Sequence, residues 1–344
     1  QAAAEAAQAE YSLVQADSVN ASKRSDNSDD FVVPPPSVYC REESPLTFDE
    51  AKIKPMLLKA SEQVQGHAFV LDSSFSFTVS QGSRYFVDSA GTRLKTPFAY
   101  ARLSYTLLGY TADGLELTRT GAYDVLKESE LPSEEQLLAD VQKSLDELQT
   151  LSQAPEAEPM TAPAILKNRA MAVFVHEVLG HRVEGHRQKD DDFGKTFTDK
   201  VGQPVVAPIL TIVDDATLAY FDGIPLRGFY EYDDEGVKSR PVTLVENGVL
   251  KNFLMSSSPI KGFSQSNGHG RASKGLRAVA RMGNTRVIAS KTVPYDELEQ
   301  MLLAEIKRQG KPYGFIIEDL SGGFTQTDTY APQAFKLEPT LVYR

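Results

Sequence analysis

Three of the chain's five histidines and two carboxylates fall within thirteen residues, in the segment Phe174-Val-His-Glu-Val-Leu-Gly-His-Arg-Val-Glu-Gly-His186. His176 and Glu177 are adjacent, and His181 follows five positions after His176. Neutral imidazoles are ligands for a divalent metal, and a carboxylate beside them can accept the proton of an attacking water. These residue types therefore point to hydrolysis at a metal site. No other stretch proposes a chemistry so directly: the sequence contains no Gly-x-Ser-x-Gly elbow and no Cys-x-x-Cys pair.

The spacing sets a geometric condition. In the zinc-protease pattern H-E-x-x-H the two histidines stand at i and i+4, on one helix face. Here the pattern is H-E-x-x-x-H, and five residues carry a side chain roughly 140° around a regular α-helix. On an unbroken helix His176 and His181 would point apart. They can converge if the helix widens into a π-type turn or ends at Gly180. Glu177, His181 and Glu184 already share a face at i, i+4 and i+7. That stripe also suits a solvated, salt-bridged surface helix, and spacing alone leaves both readings open. Glu184 and His186 are candidates to orient a ligand imidazole through its other ring nitrogen. As charged residues at a helix end they suit solvent equally.

The elements that must position these residues are legible as patterns. The histidine-bearing helix is expected over about 164–185. Upstream, residues 1–46 lack periodicity, with a polar stretch at 22–30 and a stiff Val33-Pro-Pro-Pro36. Residues 48–63 have helical spacing, and 68–80 alternate as a strand with Phe75 and Phe77 on one side. Gln81-Gly-Ser83 reads as a turn into a strand at 84–88, and 99–110 and 115–120 read as strands around Ala112-Asp-Gly114. Ser133-Glu-Glu-Gln136 is a capping box, followed by the apolar face Leu137, Leu138, Val141, Leu145 and Leu148. The Ala/Pro-rich stretch 154–163 is the expected domain boundary.

Downstream, a β-meander is expected at 227–232, 237–245 and 249–255. Its turns are Asp233-Asp-Glu-Gly236 and Glu246-Asn-Gly248, whose residues favour tight reversals. Residues 262–275, with His269 inside, read as a flexible loop, and 314–320 as a strand. Residues 295–308 read as an amphipathic helix burying Leu298, Met301, Leu302 and Ile306. The expectation is an α+β chain of two domains after an irregular segment 1–46. An N-terminal mixed α/β domain covers 47–155, and a C-terminal antiparallel β-rich domain with the metal-motif helix covers 164–344.

Composition narrows the function class. With 344 residues, 41% hydrophobic and 24% charged, the chain is of ordinary globular make-up. Its 36 basic and 47 acidic residues give a net charge of −11, which argues against nucleic acid or an anionic membrane as partner. No apolar run reaches the length of a membrane span. The single cysteine, Cys40, excludes an intramolecular disulfide framework and reads as an ordinary thiol. Ala7-Gln-Ala9 fits the small-residue end of a removed signal peptide but lacks the charged and apolar regions that precede one. The localisation therefore stays open between cytoplasm and a periplasmic or exported site.

The H-E-x-x-x-H segment is followed by Leu210-Thr-Ile-Val-Asp-Asp215, Asp233-Asp-Glu-Gly236, Val245-Glu-Asn-Gly-Val-Leu250, Asn267-Gly-His-Gly-Arg271 and Arg281-Met-Gly-Asn-Thr285. This ordered set, over roughly 165–330, resembles the TldD/PmbA family of metallopeptidases. Arg84-Tyr-Phe-Val-Asp-Ser-Ala-Gly91 resembles that family's N-terminal domain. The resemblance implies a zinc-dependent peptidase acting on peptides or partly unfolded polypeptides. His176 and His181 would be metal ligands, Glu177 the general base, and the compartment cytoplasmic. It also implies a dimer around a narrow cleft, formed with a second copy or a paralogue. The alternative is a non-catalytic, PmbA-like partner or peptide-binding subunit.

One departure bears on the metal. TldD-type members carry a Gly-Cys-Gly-like motif near the C-terminus, whose cysteine is the expected third ligand, and this chain has no such motif. Two imidazoles alone would hold zinc loosely, since catalytic zinc usually has three protein ligands. Because it starts at Gln1 and stops in the apolar run Leu341-Val-Tyr-Arg344, the chain is expected to be shorter than the natural gene product at both ends.

Overall fold

The structure, a computed structural model, describes residues 28–155, 159–189, 197–327 and 334–344, together with Glu5, Gln8, Ala9, Ser12 and Asp26. Part of the expected boundary stretch, part of Ala7-Gln-Ala9 and most of the first 25 residues lie outside the described residues. The architecture is α+β, with several separate sheets and helices packed against them.

The first half runs β1 (Val38–Cys40), α1 (Glu50–Val64), β2 (Val70–Val87), β3 (Arg93–Tyr110), β4 (Glu116–Val125) and α2 (Glu134–Ser152). Strand β3 is the hub: β2 and β4 pair with it antiparallel and β1 pairs with it parallel. Its alternation decides the covered face, since Ala101, Leu103, Tyr105 and Leu107 are all buried. Met56, Ala60 and Val64 of α1 and Leu137, Val141, Leu145 and Leu148 of α2 close over that face. Each such leucine contributes about 1.5–3 kcal/mol by leaving water.

Two local expectations change here. Gln81-Gly-Ser83 is not a turn, because β2 continues through it along the full length of β3. Gly82 lies opposite Phe98, and a Cβ there would come within 3.1 Å of the Phe98 ring. The glycine therefore serves a close cross-strand approach. The capping box at α2 is half made. Ser133 accepts the Gln136 N–H at 3.1 Å, but the Gln136 side chain turns to Asp140 instead of back to the cap.

The second half opens with β5 (Ala164–Leu166) and α3 (Asn168–Val178), then a 3₁₀ turn over Gly180–Val183 and the short α4 (His186–Lys189). It continues with β6 (Leu210–Asp214), the hairpin β7 (Tyr220–Phe221) and β8 (Ile224–Pro225), β9 (Val242–Glu246) and β10 (Val249–Leu250). The last elements are β11 (Gly270–Arg271), β12 (Val279–Ala280), β13 (Thr285–Ala289), α5 (Tyr295–Arg308), β14 (Phe315–Gln326) and β15 (Ala334–Tyr343). The central sheet has the order β10-β9-β6-β13, and a second has β15-β14-β5. Val175, Leu179 and Val183 of the histidine segment pack into the core of Ile212, Leu244, Val245, Leu250, Phe253 and Leu254.

The expected helix over 164–185 is thus shorter at both ends. Residues 164–166 instead pair parallel with β14, burying Ile165. The meander is reduced to β9 and β10, joined by Asn247 and Gly248 at φ +49° and +83°, the conformation of a tight two-residue hairpin. Residues 227–241 form no ladder beyond a Tyr232–Lys238 bridge. There the Asp233 carboxylate collects the N–H groups of Glu235, Val237 and Gly270, so a side chain replaces strand pairing. Residues 262–275 are not a free loop either, since β11 pairs with β12 and Asn267 and His269 are buried. Helix α5 forms where expected, but none of its residues is fully buried and Met301 is 53% exposed. Its apolar stripe only partly meets the fold. No helix among the described residues is long and apolar enough to cross a membrane.

The cross-strand pair Tyr105–Gly121 tests the first core. A Cβ on Gly121 would stand 2.3 Å from the Tyr105 ring, and that ring is held by Ser144 at 3.0 Å. Gly121→Ala is expected to lower the unfolding free energy by about 1–3 kcal/mol, the usual cost of overpacking. Urea titration followed by far-UV circular dichroism measures this directly.

Candidate metal centre

Helix α3 ends at Val178, and Leu179 takes a conformation outside the helical basin, with φ −122° and ψ −48°. The chain then tightens into the Gly180–Val183 turn, with Arg182 and Val183 both donating to the Leu179 carbonyl. Packing fixes this break. A Cβ at Gly180 would lie 2.2 Å from the Met282 sulfur, and one at Gly185 would lie 2.7 Å from the Leu254 carbonyl oxygen. Val183 and Gly185 are stitched to the 254 segment by two 2.8 Å backbone hydrogen bonds.

The bend re-aims His181. The rings of His176 and His181 meet edge to face with centroids 4.5 Å apart. Candidate ligand atoms of His176, Glu177 and His181 all lie within 4.8 Å of one another. Nitrogens on a tetrahedral zinc with bonds of 2.0–2.1 Å stand about 3.3 Å apart, so modest side-chain rotation would suffice for shared ligation. Glu177 Oε1 is 4.0 Å from His176 Nε2, and its Oε2 is 3.9 Å from His181 Nε2. Two imidazoles suit zinc better than a hard cation such as magnesium, and the Glu177 carboxylate stands beside them.

Burial divides the three. His176 is 45% exposed, whereas Glu177 is buried at the helix underside. Glu177 rests on β14. A Cβ at Gly323 would fall 2.7 Å from the Glu177 Cγ, so only glycine leaves room for that side chain. The Thr325 hydroxyl reaches both the carboxylate and the backbone carbonyl of Glu177, the latter at 2.8 Å. Neither Gly323 nor Thr325 was singled out by sequence reasoning, which ended this strand at 320. The glycine pair at 322–323 within a strand was the available signal of close backbone approach.

Glu184 is fully buried and stands 3.1 Å from His181 Nδ1, which leaves Nε2 on the side facing Glu177. Its other oxygen accepts from Arg187 at 2.7 Å, and Arg281 approaches at 3.4 Å. Burial pushes the Glu184 carboxyl upward, but His181 and the two arginines outweigh it, and the net shift is below the usual range. The His176 pKa is depressed, first by burial and then by its neighbour His181. No hydrogen bond joins His186 to His176 or His181 among the described residues, and its buried Nδ1 has no partner among them.

Other motif residues assemble a separate polar cluster. His269 lies 3.1 Å from Asp214 Oδ1 through Nε2 and 3.0 Å from Asn267 Oδ1 through Nδ1. Asp214 also accepts from the Gly283 N–H and the Thr285 hydroxyl. Cys40 is exposed on β1, in the other sheet system. Clefts of about 850 and 780 Å³ open beside α1 and beside Arg227, and neither is lined by His176, Glu177 or His181. The open side of the cluster is that of His176, whose side chain is 45% exposed.

Burial pushes His186 down to about 4. An unfolded imidazole titrates near 6.5, so between those values the unfolded chain binds more protons than the folded one. The stabilisation is present above pH 6.5 and is lost as the pH falls towards 4. On going from pH 7 to 4.5, the wild type is expected to lose on the order of 2 kcal/mol more unfolding free energy than His186→Gln. Parallel urea titrations of both proteins measure the difference.

Residues 159–334, just over half of the chain, match the family described as PmbA/TldA metallopeptidase C-terminal domain. A metalloprotease of Methanocaldococcus jannaschii is 33% identical over 166 residues, covering 48% of this chain and 33% of the relative. One of Methanothermobacter thermautotrophicus is 27% identical over 286 residues, covering 79% of this chain and 58% of the relative. The chain thus spans between a third and three fifths of these relatives. Among solved structures, TldE from Thermococcus kodakarensis superposes with a TM-score of 0.59 at 18% identity, covering 85% of this chain and 63% of that one. At that identity the likeness speaks to the fold alone.

Proposed function

Because this chain belongs to the PmbA/TldD family of metallopeptidases, we propose that it is a zinc-dependent peptidase of the TldD type acting on peptides or partly unfolded polypeptides. The observation that carries the reading is the convergence of His176, Glu177 and His181 across a helix break, with all three candidate ligand atoms within 4.8 Å. In this reading His176 and His181 hold the metal. When bound, it supplies a Lewis acid that polarises the scissile carbonyl and favours ionisation of the attacking water.

The chain's own residues do the remaining work. Glu177, held by Thr325 and seated against Gly323, takes the proton of the attacking water and returns it to the leaving amine. Glu184 fixes the His181 tautomer by accepting from Nδ1. The open face beside His176 suits an extended chain lying across the cluster. Two domains, 47–155 and 164–344, would divide scaffold from site.

Glu177→Gln should keep zinc, measured by elemental analysis of dialysed protein, and lose hydrolysis of an unfolded peptide by about 10²–10⁴-fold, because an amide cannot accept the proton. His176→Ala and His181→Ala should lose both. A wild type that retains no zinc and cleaves nothing would instead favour the non-catalytic peptide-binding subunit.

Assembly is part of the proposal. A peptidase of unfolded chains must exclude folded ones, which a dimer enclosing the open face would do. The expected interface, with a second copy or a paralogue, buries more than about 1,200 Å² in total. Light scattering at micromolar concentration should give twice the chain mass for the homodimer. If the protein is monomeric both alone and with the paralogue, this part fails.

A further inference from the structure

Helix α3 starts under an electrostatic handicap. Its N-cap, Lys167, makes no side-chain capping bond, Asn168 sits at φ +39°, and the first turn contains no acidic residue. Lys167 and Arg169 instead place two cations where the helix dipole disfavours them. Both are matched from β14: Lys167 by Glu318 at 2.7 Å and Arg169 by Asp319 at 2.8 Å. Arg169 also donates to the Leu320 carbonyl at 2.7 Å.

Asp319 does not act alone. Its second oxygen meets Arg119 of β4 at 3.2 Å, and Arg119 is itself buried and clamped by Glu147 of α2 at 2.7 Å. The register of β14 against β15 shifts on both sides of Asp319 and Leu320, so the strand bends at this contact. Four and six residues beyond Asp319, the same strand presents Gly323 and Thr325 to Glu177. One carboxylate therefore ties the start of the histidine helix to the strand that seats its glutamate, and an arginine from the other sheet system holds that carboxylate.

We infer that Arg119 and Asp319 are positioning residues for the metal cluster. They brace helix α3 and strand β14 against each other from the first sheet, so that the N-terminal half sets the geometry of a site it does not touch. The catalytic consequence rests on the peptidase reading; the brace itself does not.

The test compares wild type, Arg119→Met, Arg119→Lys and Asp319→Asn by hydrogen–deuterium exchange with mass spectrometry, alongside chelator-competition zinc affinity and peptidase kinetics. In Arg119→Met and Asp319→Asn, amides of 168–184 should exchange about tenfold faster, while 210–214, 242–246 and 285–289 keep wild-type protection. Zinc affinity or kcat should fall about tenfold, the scale seen for residues that support a metal ligand, with KM little changed and partial rescue in Arg119→Lys. If exchange at 168–184 equals wild type, or rises by one factor across every segment, the inference is overturned. A wild type without zinc binding or hydrolysis would sink the peptidase reading alone, and the exchange pattern would still decide the brace.

Discussion

Two imidazoles five residues apart point away from each other on an unbroken α-helix, and in this chain they meet because the helix stops between them and packing enforces the stop. Val175, Leu179 and Val183 all enter one hydrophobic core, on either side of the break. Interiors are packed too densely to admit another side chain at Gly180, where Met282 already occupies the space. The edge of that core, at Leu254, captures the outgoing chain through backbone hydrogen bonds. The site is thus a by-product of how a short helix is ended.

Charge follows the same logic. Glu177, Glu184, Asp214 and Asp233 are buried, and burial of an unpartnered carboxylate is costly. Each is therefore surrounded by donors: a threonine hydroxyl for Glu177, arginines and an imidazole for Glu184, and backbone N–H groups for Asp233. The motif blocks downstream of the histidines supply many of these partners. Arg281 reaches Glu184, while His269, Gly283 and Thr285 surround Asp214, and Asn267 holds the far nitrogen of His269. These blocks are internal scaffolding first, and this accounts for their polar residues in segments that read as turns and loops.

The exposure difference within the cluster has a chemical sense. Glu177 is buried and immobilised from below, whereas His176 is half open to solvent. In the proposed peptidase reading, a fixed position suits Glu177 as proton acceptor, and the exposed His176 leaves one side of the site reachable.

Much of the fold was legible locally. The alternation of β3, the leucine face of α2 behind Ser133 and the Asn247-Gly248 hairpin follow from side-chain periodicity and turn chemistry, which are properties of neighbouring residues. The adjacency of His176 and Glu177, and the condition that His176 and His181 converge only where the helix widens or ends, also followed from residue types and helix geometry. Other features depended on partners distant in sequence. Gly82 reads as a turn until Phe98 is placed opposite it, and Ala164–Leu166 reads as helix until β14 offers a parallel edge. Gly323 and Thr325 lie nearly 150 positions from Glu177, and Asp319 lies 200 from Arg119, so no local pattern could join them. The sequence by itself determined which groups could do chemistry and that an unbroken helix would point the two imidazoles apart. Only the tertiary structure decided that the helix ends rather than widens and what seats the glutamate, because both are set by close packing between segments far apart in the chain.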